Sequence, residues 1–417
     1  MSGEVLAALA DAHRTDWARI LATTARVTGD LGLAEECTQD AYARALETWS
    51  QSGVPSRPAA WLTQVARNRA LDIVRRDSVW RRSLPQLVQS ASVPGPEDGL
   101  DDDRLRLIFT CCHPALAREA QVALTLRLVC GMSTVEVARA FLVQESTMAA
   151  RITRAKKKIA VAAIPYRVPT PDHLPERVGA VLEVVHLIFT TGHTAPVGTQ
   201  LVRHDLVDNA IGLARLLRTL MPNDPDAAAL LALFLVNDAR RATRVGPEGR
   251  LRVLSEQDRS QWDRAAIAEG TRLLSAALRS GPPSRYALEA AVAAVHAEAP
   301  TWEATDWGEI VDLYDVMLRR FPSAVVALNR AVAVGLRDGP RAGLEALRPL
   351  MDEPALATYG GYLSAARAHF LLSLGSHRKA LEAYEEALAL TDNEAERRFL
   401  AGRLEEARHG PTTAQDR

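Results

Sequence analysis

Basic side chains gather at two places in this 417-residue sequence. Between Arg57 and Arg82 seven arginines stand against Asp72 and Asp77, and between Arg139 and Lys158 six Arg or Lys stand against Glu145. Each segment is locally about five charges positive, although the whole chain sums to -1. That density suits a polyanion, because guanidinium and ammonium groups displace the counterions of a phosphate backbone. Catalysis has less to work with. Cys111-Cys112-His113 suggests a metal or redox centre, yet zinc needs about four ligands and no second ligand pair follows at a suitable spacing. No glycine-rich phosphate loop and no nucleophile, base and orienting group stand together. The expectation is therefore a binding protein, not an enzyme, with no cofactor and no metal. Cys37, Cys111, Cys112 and Cys130 are expected as reduced thiols, too few for a disulfide framework in so long a chain.

The elements that must position the basic groups read as helices. Pro58 is a favoured first helical residue, and a wheel over Ala59 to Asp77 gathers Leu62, Val65, Ala66 and Ile73 on one face and Gln64, Arg67, Asn68 and Arg75 on another. The second segment predicts a helix from Ser133 to Phe141, a turn from Leu142 to Glu145, and a helix from Ser146 to Ile159. Ser133 or Thr134 can cap the first with Glu136 in its first turn; Ser146 or Thr147 can cap the second. On that second helix Met148, Ile152, Ala155 and Ile159 face inward, leaving Ala150, Thr153, Arg154 and Lys157 outward. Helix-turn-helix units place such a helix in the DNA major groove; the rival is an αα-hairpin in a plain bundle. No segment alternates as a strand does, so the fold class is all-α.

Two stretches carry a resemblance. Leu33-Ala34-Glu35-Glu36-Cys37-Thr38-Gln39-Asp40-Ala41-Tyr42 followed by Trp61-Leu62-Thr63-Gln64-Val65-Ala66-Arg67-Asn68-Arg69-Ala70-Leu71-Asp72 resembles region 2 of sigma-70-type factors, and the helix-turn-helix resembles their region 4. The order, with an acidic linker holding Glu97, Asp98, Asp101, Asp102 and Asp103, is similar to the extracytoplasmic-function (ECF) class. The resemblance implies a sigma subunit that directs core RNA polymerase to promoter DNA. It implies polymerase binding, at the beta-prime clamp, by Glu36, Gln39 and Asp40, and a further contact with the beta flap. It implies minus-10 contacts from Arg67, Asn68, Arg69, Arg75 and Arg76, and minus-35 contacts from Thr147, Ala150, Arg151, Thr153, Arg154 and Lys157, with Lys156 also among the basic groups. Ala149 and Ala150 depart from the larger polar residues often found there and cannot make bidentate base contacts. Trp61 either stacks on a base or fills the core, and the core is preferred.

Beyond Pro175 a spacing recurs: Ala210, Ala214, Leu217, Pro222; Ile310, Tyr314, Met317, Pro322; Ala380, Tyr384, Ala387, Asp392. It is the spacing of the second helix of a tetratricopeptide (TPR) repeat, clearest from Ala366 to Thr391. With Asp258-Arg259-Ser260-Gln261-Trp262-Asp263, Thr305-Asp306-Trp307 and Ala327-Leu328-Asn329-Arg330-Ala331-Val332-Ala333, it resembles the ECF subgroup with a TPR-like extension. Thr190-Thr191-Gly192-His193 departs from that subgroup's more acidic, aromatic version. The resemblance implies that the extension modulates sigma activity, with a protein or small-molecule ligand on the repeats, a YCII-related protein among the candidates. The expected domains are region 2 over 1–90, the acidic linker over 91–103, region 4 over 104–165 and the TPR-like domain over 176–410.

Composition agrees with folded, multidomain protein: 47% hydrophobic and 24% charged residues. Neither a basic leader nor an apolar run long enough to span a bilayer is visible, and a cytoplasmic address without membrane contact is expected. A TPR scaffold whose N-terminal helices only mediate protein contacts, and an autonomous helix-turn-helix regulator, are the competing readings.

Overall fold

The structure, a computed structural model, describes residues 3–82, 103–141, 143–170, 172–193, 202–246, 251–357 and 361–409. Among them the all-α expectation holds: the only β pairing is an isolated bridge between Val245 and Leu251. The linker acids Glu97, Asp98, Asp101 and Asp102, and Leu142 of the expected turn, lie outside the described residues. Contacts divide the chain into two compact units, Met1–Ile188 and Phe189–Arg417.

The first unit opens with α1 (Gly3–Thr28), α2 (Leu31–Ser52) and α3 (Pro58–Arg82). Gly29, at φ +66°, breaks the chain between α1 and α2, a backbone conformation that a side chain would strain. Asp30 then caps α2 by accepting the Leu33 N–H at 2.8 Å. The three helices close on Ile20, Ala41, Ala45, Trp49, Leu62 and Ala66. Small alanines at the crossings let the backbones approach, and Trp49 fills the remaining volume.

Next come α4 (Asp103–Cys111), α5 (Arg118–Leu124), a π-helical turn (Thr125–Val129), α6 (Thr134–Ala140) and α7 (Glu145–Val161). Leu105, Leu107, Ile108, Phe109, Leu124 and Leu126 are fully buried. Ser133 caps α6 in a capping box with Glu136, as expected. The expected cap of α7 is corrected. Gln144 occupies the N-cap without a side-chain bond, and Ser146 and Thr147 lie exposed in the first turn, because the helix starts one residue earlier at Glu145.

These two groups of helices pack on each other. The buried Trp17 of α1 donates its Nε1–H to the Leu128 carbonyl at 3.1 Å. Tyr166 donates its hydroxyl to the Ala22 carbonyl at 3.0 Å. Gly131, at φ +73°, passes so close beneath α1 that a Cβ there would sit 2.9 Å from the His13 ring.

Helix α8 (Leu174–His193) carries the boundary between the units. The second unit continues with α9 (His204–Leu220), α10 (Pro225–Asp238), α11 (Arg264–Arg279), α12 (Arg285–Glu298), α13 (Trp307–Arg320), α14 (Ala324–Asp338), α15 (Pro340–Leu347), α16 (Pro354–Ala357), α17 (Tyr362–Ser373), α18 (His377–Ala389) and α19 (Glu394–His409). The residues of the recurrent spacing fall on α9, α13 and α18 and bury: Ala210, Ala214 and Leu217; Ile310 and Met317; Ala380, Tyr384 and Ala387. Gly375, at φ +70°, turns the chain between α17 and α18.

Asp258-Arg259-Ser260-Gln261-Trp262-Asp263 has a structural explanation. Arg259 is buried and donates Nη1–H to the carbonyls of His296 at 2.6 Å and Ala299 at 2.7 Å, closing the C-terminal end of α12. Its guanidinium lies 5.0 Å from the Trp262 ring, and Trp262 in turn donates to Thr243 at 3.0 Å. Arg244 does the same for the end of α8, through the His193 carbonyl at 2.6 Å. The cations meet the carbonyls that a helix leaves unpaired at its C-terminus, where its dipole is negative.

Candidate nucleic-acid interface

On α3 the sequence places Leu62, Ala66 and Ala70 one or two turns apart, and all three are inaccessible to solvent. This anchors the helix and fixes the opposite face outward. Gln64, Arg67, Asn68, Arg75 and Arg76 are exposed there, with the Gln64 side-chain amide donating to Asn68 Oδ1 at 2.9 Å. Arg69 differs: it is half-buried and pairs with Asp40 of α2 at 3.2 Å. Of the five expected minus-10 residues, four share the exposed surface and one turns toward α2. Trp61 is half-buried and packs edge-on against Trp49 with ring centroids 5.5 Å apart, which agrees with the core reading.

Sequence reasoning missed the contribution of α1. Arg19, Thr23 and Arg26 follow one another at helical spacing and line a groove of about 440 Å³ with Thr63, Gln64 and Arg67 of α3. Arg26 reaches Asp103 at 3.5 Å, and Arg19 pairs with Asp16 at 3.1 Å. The i, i+4, i+7 repeat in α1 is visible in the sequence, but only the α1–α3 packing reveals which face it joins.

On α7, Met148, Ile152, Ala155 and Ile159 are buried, as the wheel predicts. Thr147, Ala150, Thr153, Arg154 and Lys157 are exposed, whereas Arg151 is half-buried with its guanidinium 5.8 Å from the Phe141 ring. Lys156 does not belong to that outer face. It is directed toward α2, where it pairs with Glu35.

Glu35 is the residue that the sequence reading passed over beside Glu36, Gln39 and Asp40. It is 6% exposed and takes two cations at once, Arg127 from the π-helical turn and Lys156 from α7. Glu36 and Gln39 are exposed on the same helix, and Asp40 is half-buried. Glu35 occupies the seam formed by Leu31, Ala34, Thr38 and Ala41, all buried. A carboxylate at that spacing is the signal that could have marked it, since a buried carboxylate needs a partner.

The cysteines do not assemble a reactive centre. Burial pushes the Cys112 thiol up to about 11 and Cys130 to about 12, and it raises Cys111 well above the usual thiol range. They stay protonated at neutral pH, which disfavours both nucleophilic attack and metal ligation. Among the described residues no group of His, Cys, Asp and Glu is arranged to hold a metal ion, and no helix is long and apolar enough to cross a membrane.

Two exposed basic helices in one unit, with an acidic helix beside them, now have matching relatives. Residues 13–79 match the family Sigma-70 region 2, and residues 106–159 match Sigma-70, region 4. ECF RNA polymerase sigma factor SigK of Mycobacterium sp. (strain KMS) is 30% identical over 159 residues, 36% of this chain and 78% of that protein. The chain belongs to the ECF sigma factors of the sigma-70 family. It is an RNA polymerase sigma factor, a transcription-initiation subunit that binds core polymerase and promoter DNA. This sigma factor extends well beyond regions 2 and 4. Residues 177–278 match a family of unknown function, DUF6596. Uncharacterized protein R00370 of Rhizobium meliloti (strain 1021) is 41% identical over 396 residues, 93% of each chain, so the extension is common to both proteins.

Proposed function

We propose that the sigma factor reads the minus-10 element with the outer face of α3 and the minus-35 element with the outer face of α7. The observation that carries this reading is the division of each helix into a buried apolar stripe and an exposed basic face. Arg67, Arg75 and Arg76 supply cations for backbone phosphates, and Asn68 supplies a donor and an acceptor for a base edge. The groove beside Arg67 receives unstacked DNA, with Arg19 and Arg26 on its far wall. On α7, Arg151, Arg154 and Lys157 hold phosphates, and Ala150 and Thr153 admit close approach to the groove floor. Small side chains there read a thymine methyl better than a guanine edge. Glu36, Gln39 and Asp40 form the polymerase face of α2, with beta-prime clamp and beta flap as the docking sites of regions 2 and 4.

In this reading no bond is made or broken by the protein. Its residues bind, position and hold strands apart. The second unit modulates when that happens, through a protein or small-molecule ligand on its helix pairs, and the chain works in the cytoplasm beside polymerase and DNA. Binding of core polymerase to full-length protein tests the α2 assignment: Glu36→Lys with Asp40→Lys should weaken it at least ten-fold. Unchanged affinity in that folded variant overturns the assignment.

A further inference from the structure

We propose that the second unit holds an oxyanion site where the segment after α10 meets α12, with Arg240 as the binding cation and His296 as a donor beside it. The ligand it takes carries a phosphoryl or carboxylate group. Its regulatory role rests on reading the second unit as the modulator of the sigma factor; the binding itself does not. Arg240 and Arg244 flank the 3-10 turn Arg241–Thr243, and Arg259 opens a second one, Arg259–Gln261. The Trp262 to Thr243 hydrogen bond ties the two turns together. Glu396 and Tyr362, from α19 and α17, act on the charge of Arg244, so the last helices of the chain border the same cluster.

The three arginines are not used alike. Arg244 is held by the His193 carbonyl and Arg259 by the His296 carbonyl, each through Nη1 at 2.6 Å. Arg240 is half-buried, and among the described residues its guanidinium makes one hydrogen bond, a long one of 3.3 Å to Asn237 Oδ1. The carboxylates nearby serve other groups: Asp208 and Asp238 pair with Arg241, and Glu396 accepts from the Tyr362 hydroxyl at 2.5 Å. Like charges gathered with so little compensation cost stability, and burial with its arginine neighbours brings Arg240 down to about 10 and Arg244 to about 9. His296 supplies an independent observation. Its Nδ1 is buried without a hydrogen-bond partner, while its ring rests edge-on against Trp307 with centroids 5.3 Å apart. Burial, then Arg240 and Arg259, keep this imidazole neutral at pH 7, so in the tautomer protonated at Nδ1 it has an N–H to give. An anion with two or more oxygens satisfies both deficits at once: it takes the Arg240 fork and the imidazole donor, and it offsets the crowded cations.

Isothermal titration of the full-length protein with pyrophosphate and with succinate, at an ionic strength held constant with chloride, tests the site. At least one probe should bind saturably, and which one binds separates phosphoryl from carboxylate recognition. Arg240→Gln and His296→Leu should each weaken that binding about ten-fold or more, the worth of one charge-assisted hydrogen bond. Arg240→Lys keeps the charge but loses the fork, so it should weaken binding several-fold, and it serves if the Gln variant does not fold. Saturable binding of neither probe, or an affinity indifferent to Arg240, overturns the proposal. Arg67→Ala with Lys157→Ala should leave the bound equivalent in place; its loss there would put the anion on a DNA-facing helix and equally overturn the site. Run-off transcription with and without the probe separates role from binding. A probe that binds through Arg240 and leaves transcript yield unchanged would sink the modulating role and leave the site standing, whereas absent binding removes the site and leaves modulation by another ligand untouched.

Discussion

At the scale of single residues, location separates the cations proposed for DNA from those that the fold uses. Lys157 is exposed on α7, whereas Arg259 is 6% exposed and donates to two carbonyls. Lys157→Ala should weaken promoter binding about equally across sequences and lower the salt-dependence slope by roughly one, as loss of one phosphate contact does; filter binding at several salt concentrations measures it, and an unchanged slope counts against the assignment. Arg259→Ala should instead leave charge-assisted bonds unmade inside the second unit, costing roughly 2–4 kcal/mol in chemical denaturation. Arg259→Lys should recover little, because an ammonium that meets the two carbonyls leaves no planar group over Trp262 and no second nitrogen for Thr305. A Lys variant as stable as the parent would show that these further contacts are dispensable.

Among the elements, the helices that periodicity marked are present in the structure. Leu62 and Ala66 on α3, and Met148, Ile152, Ala155 and Ile159 on α7, were legible because a buried stripe imposes a 3.6-residue period that a sequence records. The ion pairs of Glu35 were not. Glu35 gains its meaning from Arg127 and Lys156, which come from elsewhere in the chain, and no local spacing encodes a tertiary pair. The expected Ser146 or Thr147 cap failed for a similar reason: capping types mark a neighbourhood, and the helix began at Glu145 instead. The extension's spacing was legible at Ala380, Tyr384 and Ala387, but not the close approach at α14 and α15. There Phe370 lies against two glycines, and a Cβ on Gly335 would fall 2.2 Å from its ring, one on Gly343 2.5 Å. Gly335→Ala is expected to destabilise the protein by roughly 1–3 kcal/mol through overpacking, with a paired Phe370→Leu change recovering part of the loss. Equal stability of Gly335→Ala and parent in a urea titration would contradict the packing described.

For the whole molecule, acid should act on the second unit through histidines kept neutral. His296 is lowered to about 4, first by burial and then by Arg240 and Arg259. His193 is held well below its ordinary value by burial, then by Arg244, Arg240 and Arg241. Unfolded histidine takes up its proton near pH 6.5, before either folded residue does, so stability is complete above that pH and falls as pH drops toward 4. For His296 the loss is on the order of 3 kcal/mol across that window. Thermal melting of the full-length protein from pH 7.5 to 4.5 should show it, and His296→Gln should flatten the decline; an identical decline in both proteins would mean that other groups carry it. The central claim, that this chain is a sigma factor whose α3 and α7 faces select promoters, is tested most directly by run-off transcription from its native promoter with purified core polymerase. Full-length protein is predicted to give a transcript from one defined start that Arg67→Ala with Asn68→Ala lowers at least ten-fold while still folding. The account would be contradicted by folded full-length protein that yields no start-specific transcript above core polymerase alone.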